Sequence, residues 1–257
     1  MQPDSSAIAG RTPAEPAPED TGVRCCLGWG YFDRVYCISL DQRPDRSTAA
    51  RRQFRKVGLA ERVEFTAFQR CDENRERGIF ESHRACLARG LAAGAETILV
   101  FEDDILFEGF DPEVLEDCVR FMQADAGWQA FFFGCLVRGA RPTQHPAVIA
   151  VRYRSLAHAY VVRRAFARRL VRQAWQGRPF DAVLSDLLEE AYAVRPAFAF
   201  QSDSPSDNTR HRRLERLRNA FGGLRRIQKA NEFYQGHKRI IIAGHLLVLL
   251  AMLLSLL

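Results

Sequence analysis

TILVFEDDILF, Thr97 to Phe107, decides how the rest of the chain is read. TILVF shows no polar alternation, so both of its faces are buried, as in a central strand of a parallel sheet. Three carboxylates, Glu102, Asp103 and Asp104, follow at its carboxyl end. Burying ionised carboxylates without partners costs several kcal/mol each. In an open α/β sheet the carboxyl ends of the strands form the ligand-binding rim. The acids therefore belong to that rim and not to the core. On an extended backbone residues i and i+2 share a face, which groups Glu102 with Asp104 and turns Asp103 away. Two hard oxygen donors suit Mg²⁺ or Mn²⁺ bridging to phosphate oxygens. For the bare triplet, a solvated acidic turn stands as the alternative.

Outward from this stretch the elements alternate. RVYCISL (Arg34 to Leu40) and VEFTAF (Val63 to Phe68) read as strands, with a helix over Arg46 to Leu59 between them. That is a β-α-β unit. GIFESHRACLARGLAAG (Gly78 to Gly94) contains a helix that starts near Glu81-Ser82-His83 and ends at Gly94. Further helices are expected over Pro112 to Asp125 and Pro179 to Ala191. Further strands are expected over Trp128 to Cys135 and Ala147 to Tyr153. Leu156 to Ala174 begins extended and turns helical, and Ala191 to Gln201 is a terminal extended run. No internal repeat is visible.

Of 257 residues 47% are hydrophobic, enough for one domain of roughly 200 residues with appendages. Residues 1–30 carry four prolines and little apolar periodicity, and read as a disordered arm. The seven cysteines are odd in number and show no CxxC spacing, which favours buried thiols in a reducing compartment over disulfides or zinc. The net charge of +6 is local: Arg210 to Arg239 holds ten Lys or Arg against Glu215 and Glu232. That surplus of eight leaves the remainder near −2, so nucleic acid is not expected as a partner.

Ile240 to Leu257 is apolar throughout except for His245. As a helix it would run about 27 Å, enough for a thin bilayer core. The basic residues before it suit an anionic inner leaflet and place the body in the cytoplasm. A buried core helix is the alternative. The expected organisation is an arm (1–30), a globular domain (31–208), a basic membrane-proximal segment (209–239) and a C-terminal anchor (240–257).

YCISLDQRPDR, then GIFESHRACLARGLAAGAETILVFEDDILF, then HAYVVRRAFARRL and RPFDAVL, occur in that order between about Val35 and Asp207. Together they resemble the successive motifs of glycosyltransferase family 25, which includes lipooligosaccharide galactosyltransferases and the procollagen galactosyltransferase domain. The resemblance implies an α/β, Rossmann-like nucleotide-diphospho-sugar transferase fold of the A type, with a mixed, mostly parallel sheet and here a C-terminal transmembrane helix. It implies a hexosyltransferase using a UDP-sugar donor with Mn²⁺ or Mg²⁺. The acceptor would be a glycan or lipid-linked molecule such as lipopolysaccharide, and the enzyme would be held at the cell inner membrane.

By the same resemblance Ser39, Leu40, Arg43 and Arg46 lie where the first strand meets the nucleotide. Ser82, His158 and Tyr160 lie with the donor, His83 contacts donor or acceptor, Glu102 and Asp104 hold the metal and the ribose or diphosphate, and Gln201, Ser206 and Asp207 match a terminal segment. Asp181 is the candidate base for the acceptor hydroxyl. Each has a plainer alternative: a helix cap for Asp181, a helix-start hydrogen bonder for His83, packing for His158, surface cover for Arg43 and Arg46. Two positions depart from the family pattern, Gln69-Arg70 after the second strand and Ala182 after Asp181. A non-catalytic membrane-tethered module and a Mg²⁺-dependent phosphoryl or nucleotidyl transferase are the competing functions.

Overall fold

The computed structural model describes residues 26–202 and 222–255. Expectations for Ser206, Asp207, the first 25 residues and the first part of the basic segment, 209–221, fall outside the described residues.

The chain opens with one helical turn, α1 (Cys26–Trp29), then β1 (Arg34–Leu40), α2 (Pro44–Lys56), β2 (Val63–Phe68), α3 (Arg75–Ala92), β3 (Thr97–Glu102) and β4 (Ile105–Phe107). There follow α4 (Pro112–Ala124), β5 (Ala130–Phe132), β6 (Leu136–Pro142), β7 (Val148–Ser155), β8 (Ala159–Arg163), α5 (Arg164–Val171), α6 (Phe180–Leu187), β9 (Ala191–Val194) and β10 (Ala199–Gln201). A long helix, α7 (Gly223–Leu254), ends the described chain.

Eight strands form one sheet in the order β2-β1-β3-β8-β5-β9-β7-β6. β2, β1 and β3 are parallel; β8 is antiparallel to both β3 and β5; β9 is parallel to β5, and β7 is antiparallel to β9 and β6. Six strands thus point one way and only β8 and β7 the other, which is the mixed, mostly parallel sheet expected. Successive side chains on a strand face opposite sides, and both sides are covered. Leu99 and Phe101 join Trp29, Phe54, Leu115 and Phe133 in one core cluster. Ile98 and Val100 join Phe80, Leu87, Tyr160 and Phe166 in the other. TILVF is apolar without alternation because it has helices on both faces.

Local chemistry sets the ends of the elements. α2 begins with Pro44, whose fixed φ suits the first helical position, and carries Asp45 in its first turn. The Asn74 side chain accepts from the Arg77 amide at 3.1 Å and caps α3. This corrects the expected start near Glu81: α3 begins two turns earlier, and His83 lies inside it. Residues 26–30, expected as part of the arm, belong to the folded body. α1 starts at Cys26, and Trp29 is fully buried with its indole N–H donating to the Val57 carbonyl at 2.8 Å.

Candidate nucleotide-sugar site

β3 ends at Glu102, and the backbone turns through Asp103 and Asp104 before resuming as β4. The alternation expected over the triplet is therefore interrupted, and Asp103 does not face away. Its Oδ2 accepts from the Leu40 amide at 3.4 Å and its Oδ1 from Arg46 Nη1 at 3.3 Å. Arg46 Nη2 also lies 3.8 Å from Asp104 Oδ2. All three acids stand at the carboxyl tip of β1, because β1 and β3 run parallel side by side with Ile38 opposite Glu102.

β4 pairs antiparallel with β10, which sets Gln201 opposite Ile105. The Gln201 side-chain amide donates to Glu102 Oε2 at 3.1 Å and to Asp104 Oδ2 at 3.4 Å. On the other side His83 Nε2 is 3.2 Å from Glu102 Oε1, and His83 Nδ1 is 3.0 Å from the Tyr160 hydroxyl. Phe180 stacks on the His83 ring at 4.2 Å between centroids. Tyr160, His83, Glu102, Gln201, Asp104, Arg46 and Asp103 thus form one continuous polar chain that joins several strands and helices.

Burial shapes the protonation of this chain. It pushes His83 down to about 4, against the opposing pull of Asp181, so the ring is neutral at pH 7. The His83–Glu102 contact is then a hydrogen bond and not an ion pair. With Glu102 ionised, Nε2 carries the ring proton and Nδ1 accepts from the Tyr160 hydroxyl. Burial raises Asp104 to about 7, with Glu102 adding repulsion and Arg46 opposing. Burial likewise raises Glu102 to about 7 and Asp103 to about 6. Glu102 keeps 26% of its side-chain surface open, against 12% for Asp104 and 7% for Asp103. It is the most accessible of the three acids.

Among the described residues Arg46 is the cation bonded to the cluster and Arg43 acts on Asp103 through its field, so the three acids, when ionised, outnumber the described cations beside them. Asp104 Oδ1 and Gln201 Oε1 are buried without a hydrogen-bond partner among the described residues. Among the described residues no group of three or more His, Cys, Asp or Glu is arranged to hold a metal. A divalent cation here would take its protein oxygens from Glu102 and Asp104, with Gln201 Oε1 alongside and phosphate or water completing the shell. The two oxygens without a described partner, set among three carboxylates, fit such an ion.

The remaining candidates divide. Leu40 reaches the cluster through its backbone N–H, and Ser39 is buried one residue earlier. Arg43 donates to Asp45 at 3.0 and 2.8 Å and holds that carboxyl at about 2; its field also reaches Asp103. Ser82 donates to the Gly78 carbonyl at 2.8 Å and is turned onto its own helix. The His158 carbonyl accepts from the Glu102 amide at 3.0 Å. Its ring is fully buried, with no side-chain hydrogen bond among the described residues; burial pushes it down to about 4, against the Ala199 and Leu156 backbone alongside.

Asp181 is not a helix cap, since Pro179 holds that position. Its Oδ1 accepts from the Tyr153 hydroxyl at 2.5 Å and from the Ala157 amide at 3.2 Å, and its Oδ2 from the Leu156 amide at 3.1 Å. It thereby fixes the β7–β8 connection, where Leu156 has a positive φ of 75°. Its charge is also felt by Glu102 and His83. Tyr153 had no signal in the sequence as a partner of Asp181, because it reads as an ordinary strand aromatic.

No protein-family model matches the chain, and no curated protein does. Among solved structures, A197 from STIV matches at TM-score 0.45 and 13% identity, over 65% of this chain and 85% of that one. Mannose-1-phosphate geranyltransferase from Thermus thermophilus matches at 0.39 and 11%, over 63% and 73%. A glycosyltransferase involved in glycosylation of the major capsid of PBCV-1 matches at 0.37 and 8%, over 58% and 72%. None reaches a TM-score of 0.5, so no residue role passes from them to this chain.

Proposed function

We propose that this chain is a metal-dependent glycosyltransferase that moves a hexose from a UDP-sugar to a glycan or lipid-linked acceptor at a membrane surface. The observation that carries the proposal is the placement of the acids. Asp103 is bonded to the last residue of β1, at the rim where α/β sheets bind nucleotides, and among the described residues the three acids outnumber the cations beside them. A nucleotide diphosphate departing from a sugar needs cationic stabilisation. A Mg²⁺ or Mn²⁺ ion held by Glu102 and Asp104 would supply it as a Lewis acid.

The chain's own residues have defined tasks in this scheme. Arg46 holds Asp103 and Asp104 in place and offsets part of their charge. Neutral His83, clamped between Tyr160 and Phe180, fixes the Glu102 carboxylate by a directed hydrogen bond. Gln201 holds Glu102 and Asp104 at a common distance. Asp181 is the candidate base; one remaining lone pair would have to face the acceptor hydroxyl while Tyr153 and the Leu156 and Ala157 amides keep the carboxylate oriented. α7, long and apolar enough to cross a bilayer, would anchor the body at the inner membrane with its basic flank on the cytoplasmic side.

The test is a hydrolysis screen over UDP-, GDP- and dTDP-sugars with the full chain, with and without Mn²⁺. Mn²⁺-dependent release of UDP is expected. Phosphate release without nucleoside diphosphate would instead favour a phosphoryl transferase, and no turnover of any donor a non-catalytic module.

A further inference from the structure

α7 is continuous from the body into its apolar half. Its first turns are docked: Gln228 donates to the Ala199 carbonyl at 2.9 Å, and Asn231 pairs with both the N–H and the C=O of Val137 at 3.0 and 3.1 Å. The Ala197 amide donates to Glu232 Oε1 at 3.2 Å. One turn later the guanidinium of Arg195 lies against Gly236, where an added Cβ would stand 2.5 Å from Nη2. Glycine inside a helix costs about 1 kcal/mol relative to alanine, and here its missing side chain makes room for Arg195.

Beside this contact a cleft of about 330 Å³ opens between the β6–β7 turn and α7, lined by Thr143, His145, Ile149, Arg195, Pro196 and Glu232 among others. Its height follows from helix geometry. Gly236 precedes Ile240, the first residue of the apolar run, by four residues, which is about 6 Å of rise. The polar layer on each side of a bilayer core is roughly 5–8 Å thick. With α7 entering the bilayer core at Ile240, Arg195 would stand at the level of lipid phosphates. Exposed Phe233 and Tyr234 lie just above it, and Lys238 and Arg239 just below.

We propose that this cleft binds the phosphate headgroup of an anionic membrane lipid, with Arg195 as the cation that pairs with it. The site rests on α7 being the membrane anchor. Arg141 at the end of β6 is exposed on the same turn, and His145 adds a hydrogen-bonding ring. Glu232 is the one lining carboxylate among the described residues. Its Oε1 is committed to the Ala197 amide, and burial raises its pKa against the opposing fields of Arg195 and Lys229. A lipid held here would fix how the body is turned about the anchor, and so which way the acid cluster faces.

The full chain in an uncharged detergent is followed by thermal unfolding as phosphatidylglycerol, phosphatidylcholine or inorganic phosphate is added. Phosphatidylglycerol is expected to raise Tm by about 3 °C or more, by mass action on the folded state, and the other two to leave it unchanged. Arg195→Gln should abolish the rise. Gly236→Ala should abolish it too, by displacing the guanidinium, while the improved helix former keeps the chain folded. The pair Lys238→Gln with Arg239→Gln should retain at least half of it. An equal rise in Arg195→Gln and Gly236→Ala, or the same rise with phosphatidylcholine or inorganic phosphate, overturns the site. Flotation on phosphatidylcholine vesicles judges the anchor separately. A chain that floats but shows no headgroup preference loses only the site, whereas one that does not float loses the anchor.

Discussion

Asp104 carries the sharpest conflict in the molecule, a carboxylate that folding would rather keep protonated. Its folded pKa, about 7, is raised above the unfolded value, as are those of Glu102 and Asp103. Raised acids stabilise the fold below their unfolded pKa, and that contribution is lost as pH rises through about 6 to 7. His83 and His158 work the other way. Their lowered pKa values stabilise the fold above 6.5, and that contribution is lost as pH falls toward 4. In EDTA, Asp104→Asn should therefore raise stability at pH 8 by at least ~1 kcal/mol, read from denaturant midpoints, and abolish Mn²⁺-dependent donor turnover. Loss of stability together with loss of turnover would mean that Asp104 is structural. Asp181→Asn should behave differently. An amide NH₂ would face donors it cannot accept from, so the β7–β8 connection should loosen at a cost of about 2 kcal/mol. Calorimetric unfolding at pH 7 checks this. Much at this scale was legible, because acids after a strand point to a rim. The role of Asp103 was not, because a two-residue turn after Glu102 breaks the alternation on which its orientation depended.

Among elements, strands buried on both faces and capped helices were the legible parts. β1 and β2 match their expected bounds, and β3 extends its run by only one residue, to Glu102. β4, β6 and β10 were not separately foreseen. Two are only three residues long, and β6 carries Arg138, Gly139 and Arg141 in place of an apolar pattern. Their pairing is set by tertiary contacts, as when β10 closes on β4 and delivers Gln201. Gly134 shows how tight that corner is: an added Cβ would collide with the Ala199 carbonyl oxygen and stand 2.7 Å from Gln228 Nε2. Gly134→Ala should push β10 and Gln201 away from the acids, and activity should fall further than stability does. A comparison of kcat with Tm checks it. The docked end of α7 has its own pH signature. Glu108 pairs with Lys229 at 2.7 Å and with Arg225, which hold its pKa below the usual value. A lowered acid contributes stability above its unfolded pKa, which is lost as pH falls through the folded value. Amide exchange in residues 223–232 should therefore accelerate below about pH 4.5 while β3 amides stay protected.

For the whole molecule, an acid-rimmed sheet and an apolar helix are joined by one uninterrupted α7. The described apolar run, Ile240 to Leu254, makes no packing contribution to the body, since none of that window is buried. Deleting residues 240–257 should therefore leave the denaturant midpoint of the body unchanged and remove vesicle flotation. The layered α/β body and the apolar terminus were visible in the sequence as patterns of period. The docking of α7 onto β6 and β10 was not, because Gln228, Asn231 and Glu232 read as the polar face of a solvent-exposed helix. The most direct measurement is calorimetric titration of UDP into the full chain, with Mn²⁺ and with EDTA, for wild type and Asp104→Asn. Binding is expected only in wild type with Mn²⁺, weakened at least about 100-fold by either change, or close to ~3 kcal/mol. Equal affinity in all four titrations would contradict a site in which a divalent ion joins the acids to the diphosphate.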